Sequence, residues 1–341
     1  MKKIVTRHAV AFAALIACAP CLAADPVSDF YKGKTVYLTI GASIGGGGDL
    51  AGRVIARHLG KHIPGNPTVV PQNVSSLALL SQFGSTTPRD GTAIGLFLAN
   101  MATGPLLDQN SVKYDPRTFN FIMSPVREGN VLVSWHTSPA RTVDDLFKHE
   151  IIVGSTTAGG FNHDVPLLNN ALNGTKFKVI IGYKGTADIK LAMERGELHG
   201  NAGVTSSALK AEYAESIAKK QILVVGAFGM EKNRFLPDVP LLPLGKTEED
   251  RQLFQLMYAP QYFGRPFAMP PGVPVERVNA MRVAFGATLK DPGFLADAAK
   301  LSMEIDPVSG DELTAVTNKL FETPKEILER MRKMLSAGAG K

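Results

Sequence analysis

Val36-Tyr37-Leu38-Thr39-Ile40-Gly41-Ala42-Ser43-Ile44-Gly45-Gly46-Gly47-Gly48-Asp49-Leu50, followed by a run to Leu59, decides the fold. Val36 to Ile40 is a short apolar run of β-formers and predicts a buried strand. Leu50, Val54, Ile55 and Leu59 recur at helical spacing and predict one apolar helix face. Between them lie four consecutive glycines, a loop on whose backbone a ligand can lie directly. The first turn of the following helix offers unpaired N–H groups and the positive end of the helix dipole, a site for a phosphate or carboxylate. Asp49 fits as the N-cap.

The loop lacks the Lys-Ser/Thr of a phosphate-binding Walker loop. It also fails the Gly-x-Gly-x-x-Gly dinucleotide spacing, because Leu50 stands where the third glycine belongs. It does match Gly-x-Ser-x-Gly over Gly41 to Gly45, the nucleophile elbow of serine hydrolases, in a strand-to-helix context. Such an elbow normally follows several strands, whereas here it follows the first. A structural tight turn is the third reading, and a ligand cradle the favoured one.

Lys2, Lys3 and Arg7 precede an apolar stretch, Ala9 to Ala17, too short to span a bilayer. With cleavage after Ala23 or Ala24 this is a secretory signal peptide, and the expected location is the periplasm. Leu15-Ile16-Ala17-Cys18 also resembles a lipobox that would leave a lipidated Cys18. Both cysteines, Cys18 and Cys21, lie in this segment, so the mature chain is expected to hold no disulfide, cysteine metal site or thiol nucleophile. Losing those three cations lowers the formal charge from +6 to +3, and no basic run argues for nucleic acid. What remains is long enough for a large core and two domains.

Strand and helix alternate from Asp25 to about Ser124, with strands at Thr68–Val70 and Ala93–Phe97, which predicts a parallel sheet flanked by helices. Short strands follow at Phe121–Met123 and Val131–Val133, and a short helix starts at Thr142 with Asp144 and Asp145. Ile151–Val153 leads into Gly154-Ser155-Thr156-Thr157-Ala158-Gly159-Gly160-Phe161-Asn162-His163, then a helix carrying Val165, Leu168 and Leu172. This repeats the opening unit. Further strands are read at Val179–Ile181 and Ile222–Val225, and Leu236–Pro240 reads as an extended, proline-stiffened segment. Pro270 to Pro274 opens a helix with Val278, Met281, Phe285 and Leu289 inward. Thr323-Pro324-Lys325-Glu326 reads as a capping box opening the last helix, with Leu328, Met331 and Leu335 inward and a frayed Gly/Ala tail. Two strand–loop–helix units able to hold an anion suit a receptor that closes two lobes on a ligand.

These motifs, taken in order, resemble the solute-binding receptors of tripartite tricarboxylate transporters, the Bug receptors. Phe30-Tyr31-Lys32-Gly33-Lys34-Thr35 looks like the family's start. Gly45-Gly46-Gly47 with Asp49 looks like its first-lobe loop, and Gly159-Gly160-Phe161-Asn162-His163 is similar to its Gly-x-Gly-Ser-x-x-His loop. Tyr183-Lys184-Gly185, Leu236-Pro237-Asp238-Val239-Pro240 and Pro271-Gly272-Val273-Pro274 match in order and spacing, so the resemblance covers nearly the whole mature chain. It implies a two-lobed α/β periplasmic binding fold, class II-like, with lobe 1 over 25–124 and 259–341 and lobe 2 over 125–258. It implies a receptor, not an enzyme, that binds a small di-, tri- or aromatic carboxylate and delivers it to integral-membrane transporter subunits. A monomer without cofactor or metal is expected.

The expected ligand-binding residues are Ser43, Gly45, Gly46, Gly47, Gly48, Asp49, Ser76, Thr156, Thr157, Gly159, Gly160, Asn162, His163, Tyr183 and His199. Thr156, Thr157 and Asn162 equally suit helix capping, and Tyr183 and Trp135 suit packing. His58 and His62 suit a helix C-terminus better than a metal. The chain departs from the family pattern at Asn73 to Leu77, about three residues shorter than the usual Asn-x-Pro-Gly-Ala-Gly, and at Ile44, Gly48 and His199, where Pro, Thr or Tyr, and Asp are usual. These changes surround the site and imply an unusual ligand, a wider cleft or weaker binding. The alternatives are a secreted serine hydrolase using Ser43 and a receptor that presents ligand to a membrane sensor.

Overall fold

A computed structural model describes residues 25–107 and 114–339. The signal peptide and Cys18 lie outside the described residues. Among the described residues eleven strands form two sheets: β1 Thr35–Ile40, β2 Thr68–Asn73, β3 Ala93–Leu96, β4 Asn120–Ser124, β5 Asn130–Trp135, β6 Ile151–Ser155, β7 Phe177–Ile181, β8 Gly200–Thr205, β9 Ile222–Phe228, β10 Phe267–Met269 and β11 Val308–Ser309. The first sheet has the order β11-β4-β10-β3-β1-β2, and the second β7-β6-β8-β5-β9.

Both sheets are mixed, which corrects the expectation of a parallel sheet. Strands β2, β1 and β3 run parallel, as do β7, β6 and β8. The remaining pairings, of β10, β4 and β11 in one sheet and of β5 and β9 in the other, are antiparallel. The antiparallel pairings join strands far apart in sequence, β4 with β10 and β11 and β5 with β8 and β9, so alternation along the sequence does not reveal them.

The helix after β1 runs Gly47–Leu59 and packs Ala51, Val54, Ile55 and Leu59 inward. Leu50, expected on that face, is 39% exposed. One residue of phase separates it from the stripe, and it faces a cavity instead. The helix Val275–Thr288 buries Val278, Met281, Phe285 and Leu289 as its spacing requires. Residues Leu236–Pro240 form turns rather than an extended run, with Val239 N–H on the Leu236 carbonyl. The last helix continues through Lys325–Ala339, beyond the point where the Gly/Ala tail reads as frayed. Among the described residues no helix is long and apolar enough to cross a membrane.

His58 and His62 close the Gly47 helix against the helix Pro292–Lys300. His58 Nε2 lies 3.1 Å from Asp297 Oδ2, and His62 Nε2 lies 3.2 Å from Asp291 Oδ2. Lys61 first, then the Phe294 N–H and His62, hold the Asp291 carboxyl below its ordinary range; His58, Lys300 and Arg57 do the same for Asp297. These histidines join two helices.

Candidate inter-lobe anion site

The first loop is a tight turn. Ser43 C=O accepts the Gly46 N–H at 3.1 Å, and Gly45 between them has φ +77°. The second loop repeats it: Thr157 C=O accepts the Gly160 N–H at 3.4 Å, and Gly159 has φ +82°. Gly46 and Gly160 are the N-caps of the helices Gly47–Leu59 and Phe161–Asn173, both with extended backbone. Only glycine takes the left-handed third position without strain. Gly45→Ala and Gly159→Ala should each cost about 1–2 kcal/mol of stability, read as a lower denaturation midpoint.

Asp49 is therefore not the N-cap. It stands in the first helical turn, is 2% exposed, and its Oδ2 accepts the Gly45 N–H at 2.9 Å. Its Oδ1 accepts from Arg53 Nε at 2.9 Å and Asn73 Nδ2 at 2.8 Å. Burial pushes this carboxyl up most, but the donors on Gly45, Arg53 and Asn73 together outweigh it and leave the group below its ordinary value. Asp49 thus holds the loop from behind.

Asp164 plays the matching part in the second loop. Its carboxylate meets the Gly159 N–H, and His163 Nδ1 lies 2.7 Å from its Oδ1. Burial dominates here and raises the Asp164 carboxyl. His163 is 3% exposed, which puts its ring behind the loop rather than on its face. Asn162 is also turned back, accepting the Ser155 hydroxyl at 3.0 Å. Thr157 Oγ donates to the Ala158 carbonyl, and Thr156 is half-buried beside it.

Ser76 opens the helix Ser76–Phe83, capped by Ser75, and its Cα would lie 3.3 Å from a Cβ placed on Gly41. Tyr183 follows β7, with its N–H on the Ser155 carbonyl and its ring against the core of the second sheet. His199 is not brought to the loop. It precedes β8, accepts the Ile152 N–H on Nδ1 at 3.1 Å, and sits at the opposite end of that strand from Thr205.

The two loops open into adjoining cavities rather than one. Gly47 and Leu50 line a cavity of about 200 Å³ with Ser207, Ala208, Arg265 and Met303. Gly159, Gly160 and Phe161 line one of about 660 Å³ with Asn100, Thr205 and Gly264. The cavities meet at Gly264–Arg265 and at Thr205–Ser207, and Glu128, on the larger, accepts the hydroxyl of Ser207, on the smaller.

Arg265 is a candidate site residue with no local signal in the sequence. Its Nη2 lies 3.3 Å from where a Cβ on Gly47 would stand, at the open end of the Gly47 helix. Its backbone N–H bonds Ser124 Oγ at 3.0 Å, and no carboxylate among the described residues pairs with its guanidinium. Gly47, Gly48 and Asp49 are the first three residues of the helix, so their N–H groups have no partner within it. A guanidinium beside free amides at the positive end of a dipole attracts a carboxylate. Nothing local in Phe263-Gly264-Arg265-Pro266 signals this, because the approach to Gly47 is made by tertiary structure.

No family model and no curated protein matches the chain. Solved structures do. A TctC solute-binding protein from Polaromonas, without ligand, aligns at 19% identity over 88% of this chain and 99% of that one, with a TM-score of 0.68. Rpa4515 of R. palustris with adipate aligns at 18% identity over 89% and 97%, with a TM-score of 0.60. The periplasmic binding protein BugD aligns at 19% identity over 89% and 98%, with a TM-score of 0.58. At this level of identity the likeness is one of fold: the chain has the two-sheet α/β architecture of the TctC and Bug periplasmic binding proteins.

Proposed function

We propose that the protein is an extracytoplasmic receptor that holds a small organic carboxylate between two lobes, 25–124 with 259–341 and 125–258. The unpaired Arg265 at the N-terminus of the Gly47 helix carries this reading. One ligand carboxylate takes the amides of Gly47 and Gly48 and the Arg265 guanidinium. Ser207, whose hydroxyl is held by Glu128, lines the same cavity from the other sheet's side, and Gly160 and Phe161 line the adjoining one. The adipate bound to Rpa4515, which shares the fold, supports a ligand of this chemistry. Charge-assisted bonds of about 1.5–3 kcal/mol each, less the cost of closure, give roughly micromolar affinity. The bound carboxylate is then passed to membrane subunits of a tripartite tricarboxylate-type transporter, and the receptor acts as a periplasmic monomer.

Ser43 lies on the exposed face of the first loop, but the rings of His58, His62, His163 and His199 are engaged elsewhere. Ser43 lines neither cavity, so Ser43→Ala should leave carboxylate binding within about two-fold. A thermal-shift screen of the mature chain against mono-, di-, tri- and aromatic carboxylates tests the reading. A melting temperature that rises with ligand concentration is expected. Indifference to every carboxylate, or ester hydrolysis that disappears in Ser43→Ala, would overturn it.

A further inference from the structure

A second cavity, of about 400 Å³, lies away from the two glycine loops. One wall is a face of the helix Glu248–Tyr258, where Gln252, Gln255 and Leu256 follow one another at helical spacing. The other is the helix Gly310–Phe321, through Val316, Lys319 and Leu320. Met230 and Tyr262 close one side, and Arg127 lies over the Tyr262 ring at 4.6 Å while pairing with Glu231 and Glu312. The Leu256 side chain separates this cavity from the larger inter-lobe one, whose wall it also forms.

Among the polar groups lining this cavity, Tyr262 is engaged with Glu231, and Glu322 is the one acid. Arg251 and Lys319 both line it, and neither has an acidic partner among the described residues. The nearby acids Glu249 and Asp250 are held by Arg330, so they do not neutralise Arg251. The Gln252 and Gln255 side-chain amides likewise have no partner among the described residues. Beneath them Leu256 and Leu320 are buried and supply an apolar floor. Two cations against the single acid Glu322 leave the lining net positive, and with two free amides over an apolar floor this suits an anion with a hydrophobic body.

We propose that this cavity binds an organic monoanion with an apolar alkyl or aryl body, carboxylate or sulfonate, with its charged group on Arg251 and Lys319 and its body against Leu256, Val316 and Leu320. This goes beyond the inter-lobe reading and does not rest on it. The probe is 8-anilinonaphthalene-1-sulfonate, followed by fluorescence with the mature chain. A saturable rise at one probe per chain is expected. Arg251→Gln combined with Lys319→Gln should weaken it by about ten-fold or more. Val316→Trp, which fills the pocket and keeps both cations, should abolish it, and Arg265→Ala should leave it unchanged. Unliganded melting temperatures verify that each variant is folded. No saturable binding by the wild-type chain, equal binding by the Arg251/Lys319 double variant, or loss in Arg265→Ala would each overturn the site.

Discussion

Arg265→Ala weakens carboxylate binding by about ten- to a hundred-fold, the equivalent of one charge-assisted bond of 1.5–3 kcal/mol. The unliganded protein is not destabilised by this change. A cation beside the positive end of a helix dipole is unfavourable until an anion arrives, so removing it raises stability by a few tenths of a kcal/mol. The guanidinium sits against Gly47 with no carboxylate partner, which makes its cost and its use separable. Arg265→Lys keeps the charge but loses the planar fork and should fall between the two. Calorimetric titration of each variant with a carboxylate that shifts the wild-type melting temperature measures the loss. Equal affinity in all three proteins would remove Arg265 from the site.

Asp49→Ala costs about 3 kcal/mol of stability, because it leaves buried donors on Gly45 and Asn73 without an acceptor and frees Arg53 from its partner. The lower end of the usual range applies, since Arg53 is 41% exposed and water replaces part of what it loses. Asp49→Asn should cost less, as one amide oxygen still reaches the Gly45 N–H. The sign with pH follows from the depressed carboxyl. Its stabilisation is complete above the unfolded value near 4 and is lost as pH falls through the lower folded value. Wild type and Asp49→Ala should therefore begin to converge in stability below about pH 4 and continue to do so until pH has passed the depressed folded value, whereas a constant difference across the acid range would assign the cost to something other than this charge.

Much of the fold was legible because its signals are local. The apolar run of β1, the glycine turn and the helical stripe of Val54, Ile55 and Leu59 stand next to one another. The second unit repeats the arrangement, down to a positive-φ glycine at Gly45 and Gly159. Asp49 is not the cap because the helix begins at Gly47, three residues before an Asp49 cap would start it, and Gly46 caps it with backbone alone. Strand β8 escaped notice since Gly200-Asn201-Ala202-Gly203 has little β-propensity. It is a strand because β5 and β6 flank it, and Gly203 is glycine where Phe161 and Asn162 press close. Strands β10 and β11 are only three and two residues long, too short to carry a pattern.

The candidate site was less legible than the fold. The loop glycines could be named from sequence, but which N–H groups remain free depends on two aspartates folding back, Asp49 onto Gly45 and Asp164 onto Gly159. His163 and Asn162 point polar atoms at their own loop, and His199 belongs to the far end of its strand. Arg265 reaches the site only because the chain crosses back between the sheets beside Ser124. The loops open into adjoining cavities, and the stronger anion attraction lies on the Gly47 side, where Arg265 adds a cation that the Gly159 side lacks.

A crystal structure of residues 25–341 grown with a saturating carboxylate from the thermal screen bears on this most directly. One carboxylate group should lie within hydrogen-bond distance of the Gly47 and Gly48 amides and of the Arg265 guanidinium. A ligand whose carboxylates touch neither, or one seated wholly on the Gly159–Phe161 loop, would contradict the assignment.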